Sequence, residues 1–366
     1  MIKAKRDELL APLAAVSGII ERRHTLPILS NVLIDSSSEA ISFLATDIEI
    51  QISARTGLTA SRDARSLTVG ARKLLDILRA LPENTEVSLQ PQDKRLLLKA
   101  GRSRFTLQTL PAEDFPKLAK AAGEATRFTL SQKALRRLLG LVQYAMAQQD
   151  IRYYLNGLLM VVDGGELKLV ATDGHRLAFA AMPLPASMQR QEAIIPRKTV
   201  VELTKLLADS DEEVAIEVSP AQASFSFGSI QLVSKLIDGK FPDYTRVIPT
   251  QHKNTLTAER EPLRQALQRA AILSNEKFRG VRWVLTDGSL KIVSSNADQE
   301  EAQEEVEVKY KGDALDIGFN VNYLLDVLNN VPGNELECAF GDSSSSALIS
   351  YASEKGFKYV VMPMRI

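Results

Sequence analysis

The 366-residue sequence has one cysteine, Cys338, one tryptophan, three histidines and no excess of either charge, with 45 Lys and Arg against 45 Asp and Glu. A lone cysteine excludes an intrachain disulfide framework and a thiolate zinc site. His24, His175 and His252 are too scattered to suggest a metal cluster. No apolar run reaches the roughly 18 residues that cross a bilayer, and the basic start MIKAKRDELLAPLAAVSG is interrupted by Asp7, Glu8 and Pro12, unlike a signal segment. With 45% apolar and 25% charged residues, a soluble, globular, cytoplasmic chain is expected. Short enzyme signatures are missing too: no G-x-x-x-x-G-K-[ST] phosphate loop, no G-x-G-x-x-G, no G-x-S-x-G elbow, no H-E-x-x-H. The acid pair Asp211 and Glu212 reads as solvated surface. These absences favour a binding or scaffold role with no catalytic residue, metal or cofactor.

What is present is a repeat. LATDIEI, with Asp47, returns as LVATDGHRL, with Asp173, 126 residues on, and Leu110, Phe115 and Pro116 return at the same offset as Leu236, Phe241 and Pro242. Leu9, Pro12, Leu13 and Val16 have the i, i+3, i+4, i+7 spacing of a helix face, and Leu135, Leu138, Leu139 and Val142 repeat it. A third copy carries Leu263, Ala266, Leu267 and Ala270, with LKIVSSNADQE in place of LATDIEI. Second helices are predicted from Ala71, Pro196 and Asn320, each followed by strand-like alternation in RSRFTLQTL, SIQLVSKL and FKYVVMPM. Helix, strands, helix, strands, joined by short turns such as VDGGELKLV and TDGSLKIV, predicts α+β domains with antiparallel sheets. Boundaries in the polar stretches 119–127 and 249–256 give three domains, 1–122, 123–250 and 251–366. Duplication alone, with no functional message, is the bland account of such a repeat.

Charge is unevenly placed. The helix windows carry Arg72, Lys73, Arg79, Lys133, Arg136, Arg137, Lys198, Lys205, Arg264 and Arg269 against Asp76, Glu202, Glu261 and Asp326. Positive charge on repeated helices suits a polyanion held through its phosphates, or simply a solvated face with snorkelling side chains. Residues 94–104 hold Lys94, Arg95, Lys99, Arg102 and Arg104 with no acid, whereas 298–307 hold Asp298, Glu300, Glu301, Glu304, Glu305 and Glu307 with no base. Complementary ends of a tandem array predict a head-to-tail contact between chains; an intramolecular salt-bridge pair is the competing account.

Five motifs then carry a resemblance: R-H-T-L-P-I-L (Arg23 to Leu29), Q-D-I-R-Y-Y-L-N-G (Gln149 to Gly157), A-T-D-G-H-R-L (Ala171 to Leu177), S-N-E-K-F-R-G-V-R (Ser274 to Arg282) and Y-V-V-M-P-M-R-I (Tyr359 to Ile366). Over essentially its whole length the chain resembles the bacterial DNA sliding clamps, the β subunits of the DNA polymerase III holoenzyme. The resemblance implies three tandem clamp domains, each with two helices on antiparallel sheets. It implies a head-to-tail homodimer closing into a six-domain ring around duplex DNA, a non-catalytic processivity factor that tethers the replicative polymerase, a clamp loader and other proteins bearing a clamp-binding motif. It places DNA contacts, including the primer–template junction, at Arg23, Gln149, Arg152, Tyr153, Tyr154 and Lys198. One of the two adjacent tyrosines, read as strand residues, should point inward.

The same resemblance assigns a partner-peptide pocket to Leu155, Thr172, Gly174, His175, Arg176, Leu177, Pro242, Arg246, Val247, Tyr323, Ser346, Val360, Met362, Pro363 and Met364. Without it, VVMPM reads as a packed strand and TDGH as a turn. It assigns the dimer contact to Lys73, Arg95, Arg102, Arg104, Phe105 and Leu107 on one end, and to Ile272, Leu273, Glu300, Glu301 and Glu304 on the other. Because the first repeat has TDIEIQ where the second has TDGHRL, one pocket per chain is expected. Gln148, His24 and Ile366 depart from the family pattern. Two alternatives remain at this point: a DNA-acting enzyme built on clustered carboxylates, and a monomeric DNA-binding module without sequence preference.

Overall fold

The computed structural model describes residues 2–21, 25–36, 40–59, 66–119, 123–250 and 252–366. Six α-helices lie among them: α1 (Arg6–Val16), α2 (Ala71–Ala80), α3 (Gln132–Val142), α4 (Arg197–Leu206), α5 (Arg260–Ile272) and α6 (Val321–Asn330). They fall where the periodicity puts them. Leu9, Leu13 and Val16 of α1, Leu135, Leu139 and Val142 of α3, and Leu263, Ala266, Leu267 and Ala270 of α5 are all buried. The helix starts have local causes. The Glu8 carboxylate accepts the Lys5 backbone N–H at 2.7 Å, and the Asn320 side chain caps α6 by accepting the N–H of Asn322.

Every strand pairing among the described residues is antiparallel, as an α+β reading requires. Residues 1–135 with 201–236 form one compact unit, and residues 136–200 with 237–366 form a second. The first unit is built on a twelve-stranded sheet. It contains the strands of the first repeat up to Ile50–Thr59, which pairs with Ile230–Lys235 of the middle repeat in the register Ile50↔Ser234 to Ala54↔Ile230. The second unit holds a seven-stranded and a four-stranded sheet. In the former the long strand Arg176–Pro196 pairs with Phe357–Val361, from Arg176↔Val361 to Ala180↔Phe357. The strands of the middle repeat are thus shared between the two units, each sewn edge to edge onto strands of its neighbour in sequence.

Two hairpins follow their turn chemistry. Thr286 pairs with Ser289 across Asp287 and Gly288, the latter at φ +75°, and Ala100 pairs with Ser103 across Gly101, at φ +56°. VDGGELKLV, read as a short turn, instead lies within one continuous strand, Gly157–Thr172, whose register shifts around Gly164. The extra residues are absorbed as bulges because the flanking segments keep the same partner strand. In the third repeat Trp283, Phe319 and Phe340 are buried against one another with ring centroids 5.5 to 6.5 Å apart, two of the three contacts edge to face.

The seam between Arg176–Pro196 and Phe357–Val361 is tight at its end. The Ala181 N–H donates to Gly356 O at 3.0 Å, and a Cβ on Gly356 would lie 2.2 Å from the Ala181 carbonyl oxygen. Gly356→Ala is therefore expected to force the two backbones apart, costing about 2 kcal/mol and lowering the melting temperature by several degrees. An unchanged melting curve would show that the seam relaxes freely.

Candidate functional site

In the second unit, one repeat's turn, one loop and the chain's last strand meet around a cavity of about 190 Å³. It is lined by Arg152, Tyr154, Leu155, Thr172, Gly174, Arg176, Leu177, Phe241, Pro242, Tyr244, Val247, Val360 and Met362. Beneath it lies an apolar cluster that includes Leu155, Leu159, Val170, Leu177, Phe241 and Val360. The mouth is a tight turn. The Asp173 carboxylate accepts the N–H groups of His175 at 2.9 Å and Arg176 at 3.1 Å, Thr172 Oγ1 accepts from Gly174 N and donates to Arg176 O, and Gly174 sits at φ +90°. A Cβ at Gly174 would lie 2.8 Å from the Arg152 guanidinium, so only glycine lets that group lie over the turn.

Arg176 fixes the floor. Its Nε donates to Asp173, its Nη1 to Asp326 on α6 and its Nη2 to Tyr144 O, with the Tyr323 ring 4.5 Å from the guanidinium carbon. Burial weakens the charged form of Arg176, but Tyr359, Asp326 and Asp173 more than offset it, so the cation is held firmly. Burial pushes the Tyr144 hydroxyl well above the ordinary tyrosine range. The mouth's two edges differ. His175 stacks on Tyr323 with centroids 6.5 Å apart, while the Met362 N–H donates to His175 O and 40% of Met362 is exposed.

The loop before the cavity is cinched by Asn156, whose side chain accepts from Asp150 N and donates to Asp150 O; Asn156 O in turn accepts the Arg197 N–H at the start of α4. Arg152 chelates Asp150 at 2.8 and 3.0 Å and donates to Asp173 O at 3.1 Å. These hydrogen bonds from Arg152 hold the Asp150 carboxyl down at about 2. Ile151 is 96% exposed and Tyr153 58% exposed at the tip.

Nine of the residues assigned to the pocket line this cavity: Leu155, Thr172, Gly174, Arg176, Leu177, Pro242, Val247, Val360 and Met362. His175, Arg246 and Tyr323 adjoin lining residues; Ser346 precedes the strand whose Ala347 faces Val361; Pro363 follows Met362, and Met364 N donates to Gly318 O. Phe241 and Tyr244 line the cavity and were not in the expected set, although the Phe-Pro pair recurring at 115 and 241 marked the spot. Of the expected DNA contacts, Gln149, Arg152, Tyr153 and Tyr154 share the loop and Lys198 sits on α4, whereas Arg23 lies outside the described residues. The two tyrosines form a 3-10 turn, not a strand; even so Tyr153 faces solvent and Tyr154 turns into the cavity, their rings edge to face at 5.8 Å.

The remaining sets occupy two edges. Lys73 on α2 and Arg95, Arg102 and Arg104 are exposed in the first unit, where Phe105 and Leu107 lie half-buried on Ser103–Leu110. In the second unit Ile272 is 76% exposed at the end of α5 next to Leu273, and Glu300 and Glu301 are exposed by the edge strand Glu301–Glu307. Glu304 is already engaged by Arg269 at 2.6 Å. Among the described residues no cluster of His, Cys, Asp or Glu could hold a metal ion, and no helix is long and apolar enough to cross a membrane.

Comparison with known proteins agrees with this layout. Family models for the N-terminal, central and C-terminal domains of the DNA polymerase III beta subunit match residues 1–119, 129–243 and 245–365. The chain is 47% identical over 363 residues to the beta sliding clamp of Pseudomonas aeruginosa, and 45% identical over 362 residues to that of Escherichia coli K12, covering 99% of each chain in both cases. It superposes on a crystal structure of the P. aeruginosa beta subunit with a TM-score of 0.96 at 46% identity, both chains fully covered. A second P. aeruginosa structure, a sliding clamp bound to griselimycin, gives 0.94 at 46% identity, covering 100% of this chain and 99% of that one.

Because the Asp150 carboxyl is held low in the folded chain, its ion pair with Arg152 contributes above pH ~4 and is lost as pH falls toward about 2. An NMR titration is expected to place its midpoint near 2, and Arg152→Ala to raise it toward the ordinary carboxylate range, the backbone N–H of residue 152 still donating to the carboxylate. A midpoint unmoved by that substitution would remove Arg152 as the cause.

Proposed function

The chain belongs to the DNA polymerase III beta subunit family, the bacterial sliding clamps, and from that premise we propose how it acts as a processivity factor: two copies close head to tail around duplex DNA, and the cavity at Gly174 holds an apolar peptide of the polymerase. The observation that carries the first part is the strand pairing already used twice within the chain. Ile50–Thr59 takes Ile230–Lys235, and Arg176–Pro196 takes Phe357–Val361, each joining the strand after an Asp turn to the last strand of the next repeat. The third repeat has the equivalent turn at Asn296, whose Oδ1 accepts from Asp298 N and Glu300 N, followed by the edge strand Glu301–Glu307. The first repeat has the equivalent last strand, Ser103–Leu110, whose residues 103–108 pair on one side only among the described residues.

Carrying the internal register across gives Glu300 opposite Leu107, Ala302 opposite Phe105 and Glu304 opposite Ser103 of the other chain. The inward residues Ala302, Phe105 and Leu107, with Ile272 and Leu273 beside them, supply an apolar centre; Arg104 falls between Glu301 and Glu305. Arg95, Arg102 and Lys73 meet the remaining acids at the rim and set orientation, while Glu304 stays with Arg269 and acts within its own chain. Pairing these edges also hides the unsatisfied backbone groups that invite aggregation.

DNA contact falls to the exposed loop, Gln149, Arg152 and Tyr153, with Tyr154 behind it, and to Lys198 and Arg23; Tyr153 offers a stacking face to unpaired bases at a primer–template junction. The peptide cavity is walled by Tyr154, Leu155, Leu177, Phe241, Val247, Val360 and Met362, a concave apolar surface with an adaptable methionine at its mouth. His175, Arg246, Tyr323, Ser346, Pro363 and Met364 complete its rim for the polymerase, the loader and other partners. The domain limits in this reading are 1–122, 123–250 and 251–366, placed in the polar stretches 119–127 and 249–256. No bond is made or broken by such a device, its site is the cytoplasm, and its effect is effective concentration: a tethered polymerase rebinds the primer end before it escapes.

Two experiments test this. Cysteines at Arg104 and Gln303 are expected to crosslink two chains on oxidation, whereas Thr106 with Gln303 is not; a preference for the second pair would displace the register. On a nicked circle loaded by the clamp loader with ATP, the protein is expected to remain until the circle is cut once and then to slide off. Retention on linear DNA with open ends would mean that affinity alone holds it, the behaviour of a monomeric binding module.

A further inference from the structure

The first repeat builds the same turn as the peptide cavity, bond for bond, and then fills it differently. Asp47 Oδ1 accepts from Glu49 N at 3.0 Å and Ile50 N at 2.8 Å, as Asp173 does from His175 and Arg176. Thr46 Oγ1 donates to Ile50 O and accepts from Ile48 N, as Thr172 does with Arg176 and Gly174. Lys235 N donates to Glu49 O at 2.9 Å, the counterpart of Met362 N to His175 O at 2.9 Å. The apolar bed is repeated too: Leu33, Leu44, Phe115 and Ile28 pack together where Leu159, Val170, Phe241 and Tyr154 do.

Three side chains differ at the mouth. Where the second copy has Gly174 at φ +90°, the first has Ile48 at φ +80°. A β-branched residue is the worst choice for that backbone conformation, and the chain keeps it there although glycine would relieve the strain. Where the second copy has His175 and the unbranched, half-exposed Met362, the first has Glu49 and Lys235, joined as an ion pair at 3.2 Å. A branched side chain thus stands where the second copy has glycine, and an ion pair spans the edge where the second copy has His175 and Met362. An apolar peptide entering there would meet the isoleucine and desolvate both charges.

We propose that Ile48 and the Glu49–Lys235 pair exclude peptides from the first copy of the turn, limiting each chain to one partner. The inference rests on the reading of the Gly174 cavity as the peptide site. The excluding group is a specificity device: it works by rejection at a backbone frame otherwise suited to binding.

The test uses griselimycin, the ligand bound to related clamps, and counts equivalents per chain by native mass spectrometry on the full-length protein. The unchanged chain is expected to take one. Ile48→Gly combined with Glu49→His and Lys235→Met is expected to take two, the second about tenfold more weakly. A thermal melt of the triple variant, and of Ile48→Gly alone, checks that the fold is kept. A second equivalent on the unchanged chain, or a folded triple variant that still takes one, overturns the inference while leaving the cavity's own role intact. Binding of none to the unchanged chain removes the cavity reading and the inference with it.

Discussion

The interaction on which the rest depends is antiparallel pairing between the edge strand of one repeat and the last strand of the next. An unpaired strand edge exposes a row of N–H and C=O groups that must find partners in water, in another strand or in another molecule. Here the edge at Ile50–Ala54 is closed by Ile230–Ser234, and the edge at Arg176–Ala180 by Phe357–Val361. Three repeats in one chain can satisfy only two such junctions. The leftover edges are the ones that carry the basic and acidic blocks, so the constraint that holds successive repeats together is also the one that supports the proposed attachment of a second copy there.

The candidate site is a by-product of one of those junctions. The strand from Arg176 to Ala180 begins as soon as the Asp173 turn ends, so the residues that start the pairing also shape the mouth of the cavity. Arg176 binds both roles together: its backbone pairs opposite Val361 while its guanidinium ties the turn to Asp326 on α6 and to Tyr144 O. A cavity whose floor is a half-buried, multiply bonded arginine is preorganised, and little ordering would remain for the proposed peptide to bring about. Met362 lines the mouth, and an unbranched thioether side chain adjusts to different anchors at small conformational cost.

The sequence made the repeat, the six helices and the antiparallel α+β class legible because helical periodicity and turn residues are local signals. Leu9, Leu13 and Val16 announce a buried helix face wherever the helix ends up. Which strands join across repeats was not legible, since the pairing of Arg176 with Val361 spans about half the chain and leaves no mark in either segment alone. The cavity residues came from resemblance, and there the limit was assigning one role to each residue. Arg152 and Tyr154 were placed with the DNA contacts, yet both line the cavity, because a loop cinched by Asn156 presents its tip to solvent and its base to the apolar cluster. Phe241 and Tyr244 carry no charge to mark them, and only the recurring Phe-Pro pair hinted at the first.

Neutrality, which removed any global hint of nucleic acid, becomes intelligible once retention is topological. A protein that holds DNA by affinity gains from every phosphate contact and loses mobility with each one. Several helix cations are neutralised within the chain: Lys205 by Glu202 at 2.7 Å, Arg264 by Glu261 at 2.6 Å, Arg269 by Glu304 at 2.6 Å, and Arg137 by Glu354. Arg72, Arg79 and Arg136 make no ion pair among the described residues. In the proposed arrangement a few dispersed, unpaired cations per chain would suffice to centre the duplex loosely without fixing it, because exposed charges of this kind are readily screened by salt. A ring around the duplex needs no more than that, since escape requires opening the strand junction between chains and not merely the loss of contact with phosphates.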